Sequence, residues 1–437
     1  MSQKLSERVV AGILLCIAVG MAIHTPLTLW LGVQAPDWVL TVKGWKEVLM
    51  GVALLLLVVA AVRQKKFNQL LDDRLLQLSL VYAGLHFVMM MVFQNGLSMA
   101  GAGLLIDLRF VLYFVLVYVF LTLYPTWRRA FLVAFGAAAV IVLGFAVLQV
   151  TVLPKDFLTH FGYSKATIAP YLTVDDNPAL VRINSTLRGP NPLGAYAVIV
   201  LSVVLATAFR WKLRSGRGLW AMIAMTLAAG VALGASYSRS SVIAAIIALG
   251  VVVLAAVKPI VRKKLLLAAG AVLIVLAALV VGFRDSYVVS NVIFHDNPST
   301  GAAVDSNAGH AWSLADGFVR MLRQPFGAGV GSTGSASLLG DHPVILENHY
   351  LLVAHEVGWV GLVLFAWLYV EVLRRLWARR KSALALGVFA SGVGLAVIGL
   401  LLPVWTDDTV SITWWGLAAV AIAAPVITTK KAKKHHA

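Results

Sequence analysis

The chain of 437 residues carries 36 Lys and Arg against 19 Asp and Glu, a formal charge of +17, yet only 13% of it is charged and 60% is hydrophobic. With a mean hydropathy of +0.88, this composition excludes a water-soluble globule. The basic residues lie in short runs between apolar stretches, so the excess charge orients the chain in a bilayer and does not mark a nucleic-acid partner.

Apolar windows of roughly twenty residues fall at 9–30, 48–62, 75–93, 110–124, 130–153, 193–209, 219–236, 241–257, 265–283, 350–372, 383–402 and 410–427. They predict an all-α polytopic membrane protein of about twelve transmembrane helices, one integral membrane domain over 1–437. The first window is too long for a signal-peptide core and lacks a small-residue cleavage site after it, so it reads as a retained span. It holds the single cysteine, Cys16, which leaves no intrachain disulfide and no thiolate metal cluster. Asp107 and Arg109 interrupt the fourth window, and a structural ion pair at the span boundary is the plain reading of them.

Lys and Arg collect in alternate loops: Arg63, Lys65, Lys66 and Arg74, then Arg128 and Arg129, then 210–217, 258–264 and 374–381, with further lysines in the tail. The positive-inside rule makes these loops and both termini cytoplasmic. The two long loops, 154–192 and 284–348, then face the periplasm. In the longer one, Trp312, Ala315, Val319 and Leu322 form a helical stripe opposite Asp316, Arg320 and Arg323, which suits a helix lying at the membrane surface. Pro325 and the glycines Gly327, Gly329, Gly331 and Gly334 predict a flexible stretch after it.

Basic residues on the outward face gain nothing from the orientation rule. Beside Lys43, Lys46, Lys155 and Lys165 stand Arg182, Arg188, Arg239, Arg284, Arg320 and Arg323. A guanidinium presents a planar fork of donors that matches phosphate oxygens, so this face suits a pyrophosphate ligand. Arg188, in Leu187-Arg-Gly-Pro-Asn-Pro-Leu-Gly194, is either such a ligand or an interfacial arginine on lipid headgroups; Arg239, in the tight turn Ser236-Tyr-Ser-Arg-Ser-Ser241, is either a ligand or a snorkelling arginine. Arg320 and Arg323 read first as a solvated helix face.

His295, His310, His342 and His349 all lie in or at the end of the long loop. A neutral imidazole accepts a proton near neutral pH, which activating a hydroxyl nucleophile requires. His349 sits in Glu347-Asn-His-Tyr350, and Glu356, two helical turns on, falls on nearly the same face, on the order of 10 Å away. Gly358 and Gly361 would let another helix approach closely. No HxxxH or HExxH pair occurs; Asp175-Asp176 is isolated, and Asp407-Asp408 reads as an exposed turn. No Walker or dinucleotide fingerprint appears, which argues against a cytosolic nucleotide as energy source.

In their order and topology these motifs resemble the O-antigen ligases of the Gram-negative inner membrane, within a group that includes O-antigen polymerases and some protein O-oligosaccharyltransferases. The resemblance spans roughly 188–361: Arg188-Gly-Pro-Asn-Pro before a span, Ser238-Arg239-Ser240 in a tight turn, Trp312 and Gln324-Pro-Phe-Gly-Ala-Gly329 in a long periplasmic loop, then Asn348-His349 and Glu356-x-Gly358-x-x-Gly361. It implies a GT-C-type glycosyltransferase, its long loop between spans nine and ten, that moves a finished glycan from undecaprenyl pyrophosphate to a sugar hydroxyl of lipid A-core. The reaction would be inverting, without metal, nucleotide or other cofactor. The partners implied are the lipid-linked O-antigen, lipid A-core oligosaccharide and membrane lipids. By position His349 matches the histidine that activates the acceptor, supported by Glu347, Asn348, Tyr350 and Glu356, while Arg188 and Arg239 match pyrophosphate ligands. Where many members have an arginine shortly before the loop tryptophan, this chain has only His310, so Arg284 or Arg320 would substitute. The alternatives are an O-antigen polymerase or protein O-oligosaccharyltransferase with the same donor and, in another class, a twelve-span secondary transporter or a scaffold or flippase without chemistry. Most spans are uninterrupted Ala, Val, Leu and Ile, unlike the broken or charged helices of transporters.

Overall fold

A computed structural model describes residues 3–174, 177–210, 216–286, 289 and 306–423. Asp175, Asp176, Lys212, Arg214, His295 and the lysine tail lie outside the described residues. The main helices are α1 (Gln3–Gly20), α2 (His24–Gln34), α3 (Trp45–Arg63), α4 (Arg74–Val92), α5 (Leu97–Leu123), α6 (Arg128–Thr151), α7 (Pro190–Arg210), α8 (Arg217–Ala235), α9 (Arg239–Ala256) and α10 (Pro259–Gly282). They continue with α11 (Ser306–Arg323), α12 (His349–Ala378), α13 (Ala383–Gly399) and α14 (Asp408–Ala423).

Eight of the described helices are long and apolar enough to cross a membrane, or nine if the bent pair α1–α2 is one span. The chain is a multi-pass membrane protein, but the expected twelve spans are not reached by that measure. The first window does not form one straight helix, because the chain bends by 88° between α1 and α2. The fourth helix begins at Leu97, well before the expected 110, and carries Asp107 and Arg109 inside it, both buried. The architecture is also not wholly helical: β1 (Leu172–Val174) and β2 (Asn177–Arg182) form an antiparallel hairpin in the loop before α7.

The two short apolar helices sit where protein surrounds them. Sixteen residues of α14 rise only ~24 Å, short of the ~30 Å hydrocarbon core, yet every residue from Thr409 to Ile422 is buried. Trp405, Trp414 and Trp415 are fully enclosed beside Tyr369, Phe110 and Phe114, with ring centroids 5.1–6.3 Å apart, spacings at which aromatic pairs attract beyond their burial. Helix α13 places glycines at its closest approaches to two other helices. A Cβ on Gly387 would lie 2.5 Å from Val203 Cα of α7, and one on Gly394 would lie 2.8 Å from Ala244 O of α9. Small residues let membrane helices approach at backbone distance, where dispersion and not water expulsion holds them.

At the end of the bundle that carries the basic loops, Asp73 caps α4 by accepting from Leu75 N (2.8 Å). It also accepts from Tyr118 Oη (2.8 Å) of α5 and Arg375 Nη1 (2.9 Å) of α12. Burial pushes the Asp73 carboxyl up, but the hydrogen bonds from Arg375 and Tyr118 outweigh it and hold it below its ordinary range. Three helices are thereby fixed to one another, and α12 is aimed at the opposite end.

Candidate functional site

At that opposite end α12 starts with a side-chain cap. Asn348 Oδ1 accepts from the backbone N–H of Tyr350 (2.9 Å) and Leu351 (3.0 Å), satisfying orphan donors of the first turn. Its Nδ2 donates to Leu400 O (2.8 Å), which ties the cap to the end of α13. Tyr350 donates to Ala396 O (2.9 Å). His349, the first helical residue, is 3% exposed, and its ring lies 5.1 Å from that of Phe365. Neither Nδ1 nor Nε2 has a hydrogen-bond partner. A buried polar ring left unpaired costs free energy that packing alone does not return.

One residue after Glu356 the helix breaks. Val357 and Gly358 leave helical geometry, with Gly358 at φ 70°. The loop after α11 fills the break: Ala328 N donates to His355 O, Gly329 N to Glu356 O (3.0 Å) and Trp359 N to Pro325 O (2.9 Å). The expected flexibility of the glycine stretch is not what the structure shows. A Cβ on Gly327 would lie 2.7 Å from Gly358 N, one on Gly329 2.3 Å from Phe93 Cβ and one on Gly331 2.2 Å from Met99 O. The glycines let this backbone thread between α12 and the start of α5, so their sequence signal meant close approach. A Cβ on Gly361 would meet Val357 of the same helix at 2.2 Å and Leu85 of α4 only at 3.4 Å, so the space at Gly361 is taken by the bend of α12 itself and not by a closely approaching helix, and Gly358 admits the loop.

Threading brings the loop, α5, α12 and the segment before α7 around a cavity of about 210 Å³. Its polar lining is Asp107, Arg188, Thr333, Ser335, Glu356 and Thr406. His349 does not line it, although Leu346 and Leu352 on either side do. The exposed Arg188 reaches Ser335 Oγ at 3.5 Å. Glu356 accepts from Thr333 N (3.4 Å), and Gly331 N–H also attends it.

The tight serine turn lies beside this segment. Ser241 Oγ donates to Ser238 Oγ (2.9 Å), Ser238 N to Ser236 Oγ (3.2 Å), and Tyr237 is held at φ 47°. A Cβ on Gly194 would stand 2.6 Å from Ser241 Oγ, so the first turn of α7 packs directly on it. Arg182 pins the hairpin to both, donating to Ser236 O (2.9 Å) and Asn191 Oδ1 (2.8 Å). Burial, with the charge of Arg239 close by, lowers the pKa of Arg182. Arg239 is half-buried and also acts on His310. His310 pairs with Glu347, next to the Asn348 cap, and that carboxylate holds the imidazole above its ordinary pKa against the opposing effect of burial.

Thus the structure gathers Arg188 with Glu356 at the cavity, and His310 with Glu347 and Arg239 beside the start of α12. Arg320 stands apart, ion-paired with Asp316 (2.6 Å) one helical turn earlier, and Arg284 is exposed past the end of α10. Neither is brought to Arg188 as a third phosphate ligand.

Two expectations about charge need correction. Asp107 and Arg109 do not pair with each other: two residues apart on one helix, their side chains point to different neighbours. Asp107 faces Glu356, while Arg109 binds Asp408 and Thr406 O. Asp407-Asp408 is not an exposed turn either. Asp407 is 8% exposed and accepts from Val410 N (3.0 Å); Asp408 also takes Lys46 Nζ (2.8 Å) and His24 Nε2 (3.3 Å). Sequence reasoning missed Asp107 and Arg182 as members of the site. A carboxyl inside an otherwise apolar helix and an outward arginine were their visible signals. Among the described residues no three His, Cys, Asp or Glu side chains stand close enough to hold a metal ion.

A family model for O-antigen ligases matches residues 224–366. That third of the chain is a region of the O-antigen ligase family. The matched stretch runs from α8 through the first half of α12 and so includes Arg239, His310, His349, Glu356 and the glycine loop, whereas Asp107, Arg182 and Arg188 precede it. The comparison with curated proteins finds no match to the chain. The match supports an activity of the O-antigen ligase or polymerase type in general.

Proposed function

We propose that the protein is an O-antigen ligase of the bacterial inner membrane, with both termini in the cytoplasm and its site open to the periplasm. It transfers a glycan from undecaprenyl pyrophosphate to a sugar hydroxyl of lipid A-core. The observation that carries this reading is the pair of unpartnered ring nitrogens of buried His349, at the start of a helix whose next turns border the cavity holding Arg188.

In the transfer step the acceptor oxygen forms a bond to the anomeric carbon of the donor as the bond from that carbon to the phosphate oxygen breaks. The hydroxyl proton passes to one His349 nitrogen, and the bonding pair leaves with the pyrophosphate. Attack from the side opposite the leaving group inverts the anomeric centre. Arg188 and Arg239 stabilise charge growing on the leaving phosphate through forked donors in a partly desolvated site. Asn348 and Tyr350 fix the first turn of α12 and hence the ring of His349; Glu347 orients His310 towards the same anion. The lipid pyrophosphate is the activated group, so the step calls for no nucleotide.

The test is transfer in vitro with purified protein, undecaprenyl-pyrophosphate-linked glycan and lipid A-core, with chelator and no nucleotide. Ligated product is expected from the wild type, and a His349→Ala variant is expected to lose ~10²–10⁴-fold in rate, the usual contribution of a positioned general base. Lengthened lipid-linked glycan without ligated product would make the protein a polymerase. Arg239→Ala is expected to weaken donor binding, and unchanged donor binding would remove Arg239 from the pyrophosphate site.

A further inference from the structure

Arg182 has no part in the transfer step, yet it stands between the two segments that supply the donor arginines. It ends β2 opposite Leu172, and its guanidinium bonds to two different elements. Nε donates to Ser236 O (2.9 Å) at the end of α8, and Nη2 donates to Asn191 Oδ1 (2.8 Å) in the first turn of α7. Ser236 lies three residues before Arg239, and Asn191 three residues after Arg188. The strand end is itself anchored. Ile183 N donates to Ala235 O (3.1 Å) and Asn184 Nδ2 to Ala169 O (2.8 Å). Ser185 binds α6 twice, its N–H donating to Gln149 Oε1 (2.7 Å) and its hydroxyl to Val142 O (2.6 Å). Both acceptors of Arg182 are uncharged oxygens, so the clamp leaves its positive charge in place near Arg239.

We propose that Arg182 is a positioning residue of the donor site: its fork ties the Arg188 segment to the Arg239 turn and fixes the separation of those two guanidiniums, so that one pyrophosphate engages both. This rests on the reading above, in which Arg188 and Arg239 bind the donor. Two arginines grip a pyrophosphate as a unit only when their backbones already stand at the right spacing, since otherwise binding must pay for ordering them. Arg188 is exposed, and its one hydrogen bond among the described residues is the long contact of 3.5 Å to Ser335 Oγ. Its own side-chain neighbours therefore do little to place it, and the backbone has to. A Cβ on Gly194 would stand 2.6 Å from Ser241 Oγ and 2.9 Å from Ser236 Oγ, so α7 and the serine turn already meet closely, and the Arg182 fork sets how they sit against each other at one edge. A lysine could not make this link, because a single ammonium lacks the rigid planar fork. Two guanidiniums kept near each other also favour an anion between or beside them, since like charges disfavour one another until one is bound.

The experiment is equilibrium binding to the full-length protein in lipid nanodiscs, without acceptor or glycan, comparing undecaprenyl pyrophosphate with undecaprenyl monophosphate. Arg182→Met keeps the stem and removes the fork. It is expected to lose about tenfold in affinity for the pyrophosphate lipid and less than about threefold for the monophosphate, because a single phosphate does not need two arginines at a set spacing. Arg182→Lys is expected to behave in the same way, since it keeps the charge and not the fork. Because Arg182 acts through Arg239, the double variant with Arg239→Ala is expected to bind at least about threefold more tightly than the two single losses multiplied predict. Equal losses for both lipids would leave Arg182 a structural role and overturn the inference. A lysine variant of wild-type affinity would overturn it too, as would a double variant whose losses multiply, which would make Arg182 an independent contact. Should Arg182→Met not fold, Asn191→Ala tests the same link with the cation and its bond to Ser236 retained. A loss of about threefold for the pyrophosphate lipid alone is expected there, and wild-type affinity overturns the inference. Normal binding by both Arg188→Ala and Arg239→Ala would remove the pyrophosphate reading and the inference with it, whereas losses in those two with none in Arg182→Met would overturn the inference alone.

Discussion

Two buried polar regions lie next to each other at the end of the bundle away from the basic loops and are built on opposite principles. Around Asp408, Arg109, Lys46 and His24 converge on one carboxylate, Trp45 Nε1 donates to His24 Nδ1 (3.0 Å), and Lys46 also binds Glu47 (3.2 Å). In the other region, both ring nitrogens of His349, which stands outside the cavity lining, lack a partner, and the cavity carboxyls Glu356 and Asp107 face each other. The first region joins α2, α3, α5 and α14; the second sits where α12 is broken. A charge cluster that supplies its own counter-charges contributes to holding helices, whereas buried polar atoms without a partner cost stability.

The contrast is sharpest for His349→Leu, which keeps the volume of the side chain. Transfer is expected to fall ~10²–10⁴-fold with thermal unfolding in detergent unchanged, since no hydrogen bond to the ring is lost; a large drop in melting temperature would assign His349 to the structural region. Asp408→Ala should do the reverse, because it leaves buried Arg109 without a carboxylate and Lys46 with Glu47 alone. A cost of about 3–5 kcal/mol is expected, read as a lowered unfolding midpoint, and a variant of normal stability would break the distinction. Gly358→Ala comes next. It places a Cβ at φ 70°, 2.5 Å from Pro325 O, and is expected to cost about 1–3 kcal/mol and to lower transfer as well, since the loop that positions Glu356 must shift.

The smallest effect concerns His310 and Glu347. The raised pKa of His310 means that the folded protein binds its proton more tightly than the unfolded chain does. The pair therefore adds stability below the unfolded histidine value of about 6.5, and the contribution disappears as pH rises through the raised folded value. With side chains 40% and 35% exposed, solvent screens the pair, and about 0.5 kcal/mol is the scale expected. Glu347→Gln should lower the melting temperature slightly at pH 6 and not at pH 9; an equal effect at both would mean that the contact is not charge-dependent.

The outward arginines, the tight serine turn and the histidine at the start of a span were all readable from local sequence, since each is a departure from apolar or positive-inside patterning. Pairings were not. Nothing local says that Arg109 would reach Asp408, 299 positions later by the numbering, and leave Asp107 to Glu356. The glycines of 327–334 were visible, but a glycine signals absence of a side chain and not whether mobility or a neighbouring backbone uses the space.

By itself the sequence determined that this is a multi-pass helical membrane protein, which loops are basic, and which residue types interrupt the apolar pattern, because hydropathy and charge act residue by residue along the chain. Only the tertiary structure decided where helices bend, which short helix is enclosed by protein, and which buried charges are paired. Those outcomes depend on contacts between segments hundreds of residues apart, where packing and hydrogen-bond geometry, and not composition, select the partner.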